Sequence, residues 1–170
     1  MSDGTLAVLS LGSNLGDREA TLLDAVRDIA ALPNVTLAAS SGLVETAALK
    51  PSGVDNDAPA YLNAAVIVRT TLTPHELLAA VNAIELDHGR VREEHWGDRT
   101  LDIDIVTMGG LEIKDERLTL PHPQAWQRAF VLVPWLTVDP DAELPGFGRI
   151  DALPAASGAD VRPYPAEGIS

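Results

Sequence analysis

The chain has 170 residues, 46% apolar and 22% charged, with a formal net charge of −13 and no cysteine. That length and balance predict one globular domain that buries roughly 70% of the surface of its unfolded chain. The charge argues against nonspecific binding to nucleic acid or anionic membranes, the missing cysteines exclude disulfides and thiolate metal sites, and no apolar run approaches the ~18 residues of a membrane span.

Leu6-Ala7-Val8-Leu9-Ser10-Leu11 is a short apolar run that reads as a buried strand, and residues 12–17 are dense in turn formers. A helix is predicted over residues 18–32, with Leu22, Val26 and Ile29 as its apolar stripe and Pro33-Asn34 as its stop. Residues 35–44 read as a second strand. Residues 45–59 mix Pro, Gly, Asp and Asn without periodicity and read as a long loop, of a length that is usually functional or disordered. Residues 61–71 read as a strand centred on Ala64-Ala65-Val66-Ile67-Val68. The best-marked helix follows. Thr73 is a natural N-cap, Pro74 suits the first helical position and Glu76 completes a capping box. Leu77, Leu78, Val81 and Ile84 recur at helical spacing up to a stop at Gly89. Glu85 lies beside this stripe, where spacing alone makes a carboxylate a boundary residue.

Residues 89–96 read as a second loop, ahead of a strand around Asp102 and Asp104. Gly109-Gly110 reads as a hairpin turn into Leu111-Glu112-Ile113-Lys114, and a short helix is expected near residues 124–128. Residues 130–136 are apolar enough for a helix or a buried connection. From Leu153 onward Ala, Pro, Gly and Ser dominate, so a domain over residues 1–152 and a poorly ordered tail over residues 153–170 are expected. Helices and hairpin signals without strict alternation predict an α+β fold, a ferredoxin-like α/β sandwich with a mostly antiparallel sheet flanked by helices. No basic-then-apolar leader opens the chain, and a cytoplasmic monomer is expected.

The chemistry concentrates in His95-Trp96-Gly97-Asp98-Arg99-Thr100-Leu101-Asp102-Ile103-Asp104-Ile105-Val106. Leu101, Ile103 and Ile105 alternate with the aspartates, so Asp102 and Asp104 share one strand face, roughly 6.6–7 Å apart. Neighbouring carboxylates repel each other, and a hard divalent cation, or a pair about 3.5–4 Å apart, relieves that repulsion. Asp-x-Asp alone is ordinarily a solvated strand face. Trp96, a flat apolar surface, and Arg99, a permanent cation, point instead to phosphate chemistry on a planar substrate. Arg90, Arg92, Arg99, Arg117 and Arg128, half of the ten arginines, fall within residues 90–128. They form either an anion site or surface pairs with Glu93, Glu94, Asp98 and Glu116.

These blocks stand in order with Gly12-Ser13-Asn14-Leu15-Gly16, Tyr61-Leu62-Asn63-Ala64-Ala65, Glu85-Leu86-Asp87-His88-Gly89-Arg90-Val91-Arg92, Arg117-Leu118-Thr119-Leu120-Pro121-His122-Pro123 and Arg128-Ala129-Phe130-Val131-Leu132. Together they resemble the 6-hydroxymethyl-7,8-dihydropterin pyrophosphokinase family of folate biosynthesis, over residues 6–145. The block from Trp96 to Asp104 is the specific one; the others support it by their order.

The resemblance implies transfer of the β,γ-pyrophosphoryl unit of ATP to the hydroxymethyl group of a reduced pterin, releasing AMP. It implies two Mg²⁺ ions on Asp102 and Asp104, and catalytic arginines Arg90, Arg92 and Arg99 on the phosphates. It implies an ATP site of Glu85, Ile105, Arg117, Thr119, His122 and Arg128, with His122 and Arg128 at phosphates and the others at adenine and ribose. The pterin would stack between Trp96 and Phe130, its polar edge read by Thr46 and Asn63, with Leu49 and Tyr61 as walls. The loops at residues 47–59 and 89–96 would close over both substrates and exclude water. The chain departs from the commoner pattern at Ala47-Ala48-Leu49, where a proline is frequent, and at Trp126, often basic. A catalytically silent nucleotide-binding domain, or a metal-dependent nucleotide hydrolase on the same fold, is the alternative.

Overall fold

The computed structural model describes residues 4–13, 18–46, 49–50, 53–54, 61–87, 101–157 and 161–164. In chain order the larger elements are β1 (Thr5–Ser13), α1 (Arg18–Ala30), β2 (Val35–Ser40), β3 (Leu43–Thr46), β4 (Leu49–Lys50), β5 (Gly53–Val54), β6 (Tyr61–Thr70), α2 (Pro74–Asp87) and β7 (Asp102–Met108). The short strands β8 (Ile113–Lys114) and β9 (Thr119–Leu120) follow, then α3 (Ala129–Val138), β10 (Glu143–Leu144), β11 (Gly148–Arg149) and β12 (Arg162–Tyr164). Single 3₁₀ turns occupy Ala125–Gln127, Ile150–Ala152 and Pro154–Ser157.

The main sheet runs β12-β3-β6-β1-β7, with β2 pairing farther along β6, and every pairing is antiparallel. β1-α1-β2 and β6-α2-β7 are two split βαβ units, each with a strand of the other inserted between its own, which is the ferredoxin-like arrangement. Leu22, Ala25 and Ile29 of α1 and Leu77, Val81 and Ile84 of α2 are buried with Leu9, Leu11, Val66, Ile103 and Ile105 on one sheet face. Val131, Leu132 and Trp135 of α3 cover the other face, against Val8, Ala65, Ile67 and Val106. The central strand β6 is therefore apolar on both sides, as its sequence predicts.

The signals at the ends of helices act as their chemistry dictates. Thr73 and Glu76 exchange the two hydrogen bonds of a capping box: Thr73 N–H donates to Glu76 Oε1 at 2.8 Å and Glu76 N–H to Thr73 Oγ1 at 3.2 Å. After α1, Asn34 takes a left-handed conformation, φ 65°, which asparagine tolerates.

Three expectations change. The strand over 35–44 is two strands, because Ser41 leaves the ladder: its N–H donates to Ala65 O at 2.8 Å and its Oγ accepts from Ala65 N–H at 2.9 Å. The loop over 45–59 yields Glu45 and Thr46 to β3 and holds the β4–β5 pair. Residues 111–114 do not pair back on β7; β8 pairs with β9, because Asp115 closes the turn between them by accepting the Arg117 and Leu118 N–H groups. Residues 130–136 belong to helix α3, which keeps Pro134 inside it because burial between two layers outweighs the missing N–H. Within the expected tail, Leu153, Ala155 and Ala156 pack against the α3-side core and β12 pairs with β3.

Candidate active site

The register of four strands builds the floor of the site. Val44, Asn63, Gly12 and Asp102 form one row across β3, β6, β1 and β7. Ala65, Ser10 and Asp104 form the next. Both rows lie on the face covered farther along by α3, since Val8, Ala65 and Ile67 of the same parity pack there. Two strand spacings, about 10 Å, separate Asn63 from Asp102, with only a glycine between them. A Cβ on Gly12 would stand 2.7 Å from Asn63 Nδ2, so the asparagine needs that glycine.

Asn63 is buried and held from both sides. Its Oδ1 accepts from the Thr46 hydroxyl at 3.4 Å, and its Nδ2 donates to Leu11 O at 3.4 Å. Thr46 pairs with Tyr61 in the next register position, so Thr46, Tyr61 and Asn63 share this face. An amide fixed in this way offers one donor and one acceptor to a ligand with an amide-like edge.

At the far end of the rows, Asp102 and Asp104 lie on the last strand of the sheet, with Ile103 and Ile105 buried behind them. The Asp104 side chain is 48% exposed, and its Oδ2 lies 3.8 Å from His122 Nε2 and 3.9 Å from Arg128 Nη1. His122 is seated by its backbone N–H, which donates to Val106 O at 2.8 Å, just after the cis Leu120–Pro121 peptide. Its Nδ1 accepts the Gln124 N–H at 3.2 Å, so in the neutral ring the proton sits on Nε2, the nitrogen that faces Asp104. Burial lowers the His122 pKa, Asp104 opposes that shift, and the Arg128 charge adds to it. Arg128 precedes α3, donates to Gln124 Oε1 and lies over the Phe130 ring, 5.6 Å from its centroid. One guanidinium thus touches the aspartate side and the aromatic side of the site together.

Ile105 is buried in its side chain. Glu85 is buried too, at 4% exposure, and its Oε2 accepts the Ile103 N–H at 2.7 Å. Arg117 and Thr119 lie on the β8–β9 hairpin. There Asp115 Oδ1 accepts the N–H groups of Arg117 and Leu118, each at 2.8 Å, and Asp115 Oδ2 meets His75 Nε2 of α2 at 2.8 Å.

The structure therefore gathers Thr46, Tyr61 and Asn63 at one end of the floor and Asp102, Asp104, His122, Arg128 and Phe130 at the other. Arg90, Arg92, Trp96, Arg99 and the Leu49 side chain lie outside the described residues. Sequence reasoning missed Gln124, which orients both His122 and Arg128; its i,i+4 spacing to Arg128 was the available signal. It also missed the part of Gly12 in seating Asn63.

Among the described residues no three His, Asp or Glu side chains converge as a metal cage. Two half-exposed carboxylates on one strand face nevertheless fit Mg²⁺, which keeps several waters and is commonly held by one or two carboxylates plus substrate phosphates. Among the described residues no helix is long and apolar enough to cross a membrane.

The family model described as 7,8-dihydro-6-hydroxymethylpterin-pyrophosphokinase matches residues 8–140. The chain is 46% identical over 149 residues to the 2-amino-4-hydroxy-6-hydroxymethyldihydropteridine pyrophosphokinase of Methylorubrum extorquens, covering 88% of this chain and 92% of that one. The enzyme of the same name from Haemophilus influenzae is 40% identical over 147 residues, 86% of this chain and 89% of that one. The fold is similar to that of wild-type Plasmodium falciparum HPPK-DHPS crystallised with pteroate, at a TM-score of 0.64 and 16% identity. That match covers 86% of this chain and 41% of the longer Plasmodium chain. The order of motifs, the split βαβ sheet and the aspartate-bearing edge strand converge on one assignment: this chain belongs to the 7,8-dihydro-6-hydroxymethylpterin pyrophosphokinase family.

Proposed function

We propose that the chain transfers the pyrophosphoryl group of ATP to the hydroxymethyl group of 6-hydroxymethyl-7,8-dihydropterin, a step of folate biosynthesis. Family membership supports the reaction, and one observation carries its geometry. Asn63 and Asp102 stand at opposite ends of a floor opened by Gly12, with Asp104 one step along the edge strand. A flat pterin lying along that floor puts its amide edge at Asn63 and Thr46 and its hydroxymethyl arm toward the aspartates. Phe130 supplies one stacking surface and Trp96 the other.

The hydroxymethyl oxygen attacks the β-phosphorus and gives up its proton to solvent; a new O–P bond forms, and the bond from the β-phosphorus to the α,β-bridging oxygen breaks, that oxygen leaving with AMP. Asp102 and Asp104 would hold two Mg²⁺ ions, which when bound offset phosphate charge. His122 presents an Nε2–H donor and Arg128 a forked cation to phosphate oxygens. Arg90, Arg92 and Arg99 supply further charge to the transferred group. Ile105 offers its backbone on the outer edge of β7 to adenine, because strand alternation gives it the outward orientation of Ile103. Arg117 and Thr119 take the ribose side. The substrates are intracellular metabolites, which supports a cytoplasmic location. Among the described residues α1 and α2 cover one sheet face and α3 covers the other beyond the floor of the site, which supports a monomer.

Incubation with Mg²⁺, ATP and the pterin alcohol gives AMP and the pterin diphosphate. ADP as the sole nucleotide product, or AMP formed without pterin, would overturn the assignment.

A further inference from the structure

Glu85 is a buried carboxylate in a helix whose other inward residues are apolar: Leu77, Val81 and Ile84 all face the core from α2. Its Oε2 accepts the N–H of Ile103 at 2.7 Å, and Ile103 is the residue between the two aspartates. Among the described residues β7 ends the main sheet, so the Ile103 N–H on its outer edge is received by a side chain and not by a further strand. Asp102 and Asp104 pair inward with Gly12 and Ser10 of β1, on the opposite face from the α2 contact. The strand is thus held by β1 on one edge and by Glu85 on the other, at the peptide that sets the spacing between the carboxylates.

We propose that Glu85 is a positioning residue of the aspartate pair: it fixes the Asp102–Ile103–Asp104 backbone from behind and so sets the affinity for divalent cations. This role differs from the direct nucleotide contact that the resemblance implies, and it rests on the reading of Asp102 and Asp104 as metal ligands. A hydrogen-bonding role and a charge role make opposite demands. Glu85→Gln keeps an oxygen acceptor at the same reach and removes the charge. Glu85→Asp keeps the charge and withdraws the acceptor by one methylene. If reach is what matters, the aspartate variant is the damaged one.

The test is titration of Mn²⁺ into the folded protein with α,β-methylene-ATP, together with hydrogen exchange at the Ile103 amide. Circular dichroism confirms the fold of each variant. Glu85→Asp is expected to weaken Mn²⁺ binding about tenfold and to speed Ile103 exchange, while Glu85→Gln stays within about threefold of the wild type. Wild-type binding in Glu85→Asp, or loss in Glu85→Gln with Glu85→Asp unaffected, overturns the proposal and leaves the metal reading standing. A wild-type protein that takes up no Mn²⁺ overturns the metal reading and this inference with it. If Glu85→Asp does not fold, Ile103 exchange in Glu85→Gln decides: protection as in the wild type supports the hydrogen-bond role, and lost protection with unchanged Mn²⁺ affinity overturns it.

Discussion

Gly12 and Asn63 face each other across β1 and β6, and a Cβ on Gly12 would stand 2.7 Å from the asparagine's Nδ2. The glycine is there for the neighbour's side chain and not for its own backbone. Gly12→Ala forces the Asn63 amide to move, at about 1–3 kcal/mol for overpacking. The Michaelis constant for the pterin should rise about tenfold or more, with that for ATP little changed. In an Asn63→Ala background the same substitution should add little, because the clash is gone. Steady-state kinetics of the four proteins check this.

Asp104→Asn should lower AMP release by about 100-fold or more. Its contacts with His122 and Arg128, at 3.8 and 3.9 Å, are too long for hydrogen bonds, and its side chain is half exposed. Such pairs contribute about 0–1 kcal/mol, so the melting temperature should shift by no more than about 4 °C. A large loss of stability would show Asp104 to be structural.

Arg128→Lys preserves charge and loses the planar fork that reaches Gln124, Asp104 and Phe130 together. About a tenfold increase in the Michaelis constant for ATP is expected from the lost geometry. Equal kinetics would mean that charge alone suffices.

Asp115 links the acid stability of the β8–β9 hairpin to its hydrogen bonds. The Arg117 and Leu118 N–H groups, and after them His75, hold its carboxyl below the ordinary value of 3.8. A depressed folded-state pKa contributes stability above the unfolded value that disappears as pH falls through the folded one. The melting-temperature gap between wild type and Asp115→Ala should therefore be full above about pH 5 and shrink in more acidic buffer. Thermal melts across pH 3–7 measure it, and a gap independent of pH would sink the argument.

The sequence carried the strand–helix order, both helix signals and the alternation at Asp102 and Asp104, because each rests on local periodicity or local hydrogen bonding. It did not reveal that Ser41 breaks a strand, since that depends on Ala65, twenty-four residues away. The β8–β9 pairing was hidden for a related reason: an aspartate can close a turn as effectively as a glycine. At the site, the residue types at Asn63, His122 and Arg128 were legible through the resemblance. Their seating by Gly12 and Gln124 was not, because it arises only when separate segments meet. Glu85 shows the limit most clearly. Spacing made it a boundary residue, and the fold buries it against a backbone amide.

The β7 strand has a bulge: Thr107 pairs with Val8 and Ile105 with Leu9, leaving Val106 as the extra residue. Before it, aspartates and isoleucines alternate strictly. A slip of one residue there would turn Ile103 and Ile105 out to solvent and drive two carboxylates into the apolar core. Exposing the isoleucines alone costs about 1.5–3 kcal/mol each, before any penalty for the buried charges. Proofreading of the aspartates' orientation is thus built into the folding reaction: a chain that misplaces them is too unstable to accumulate.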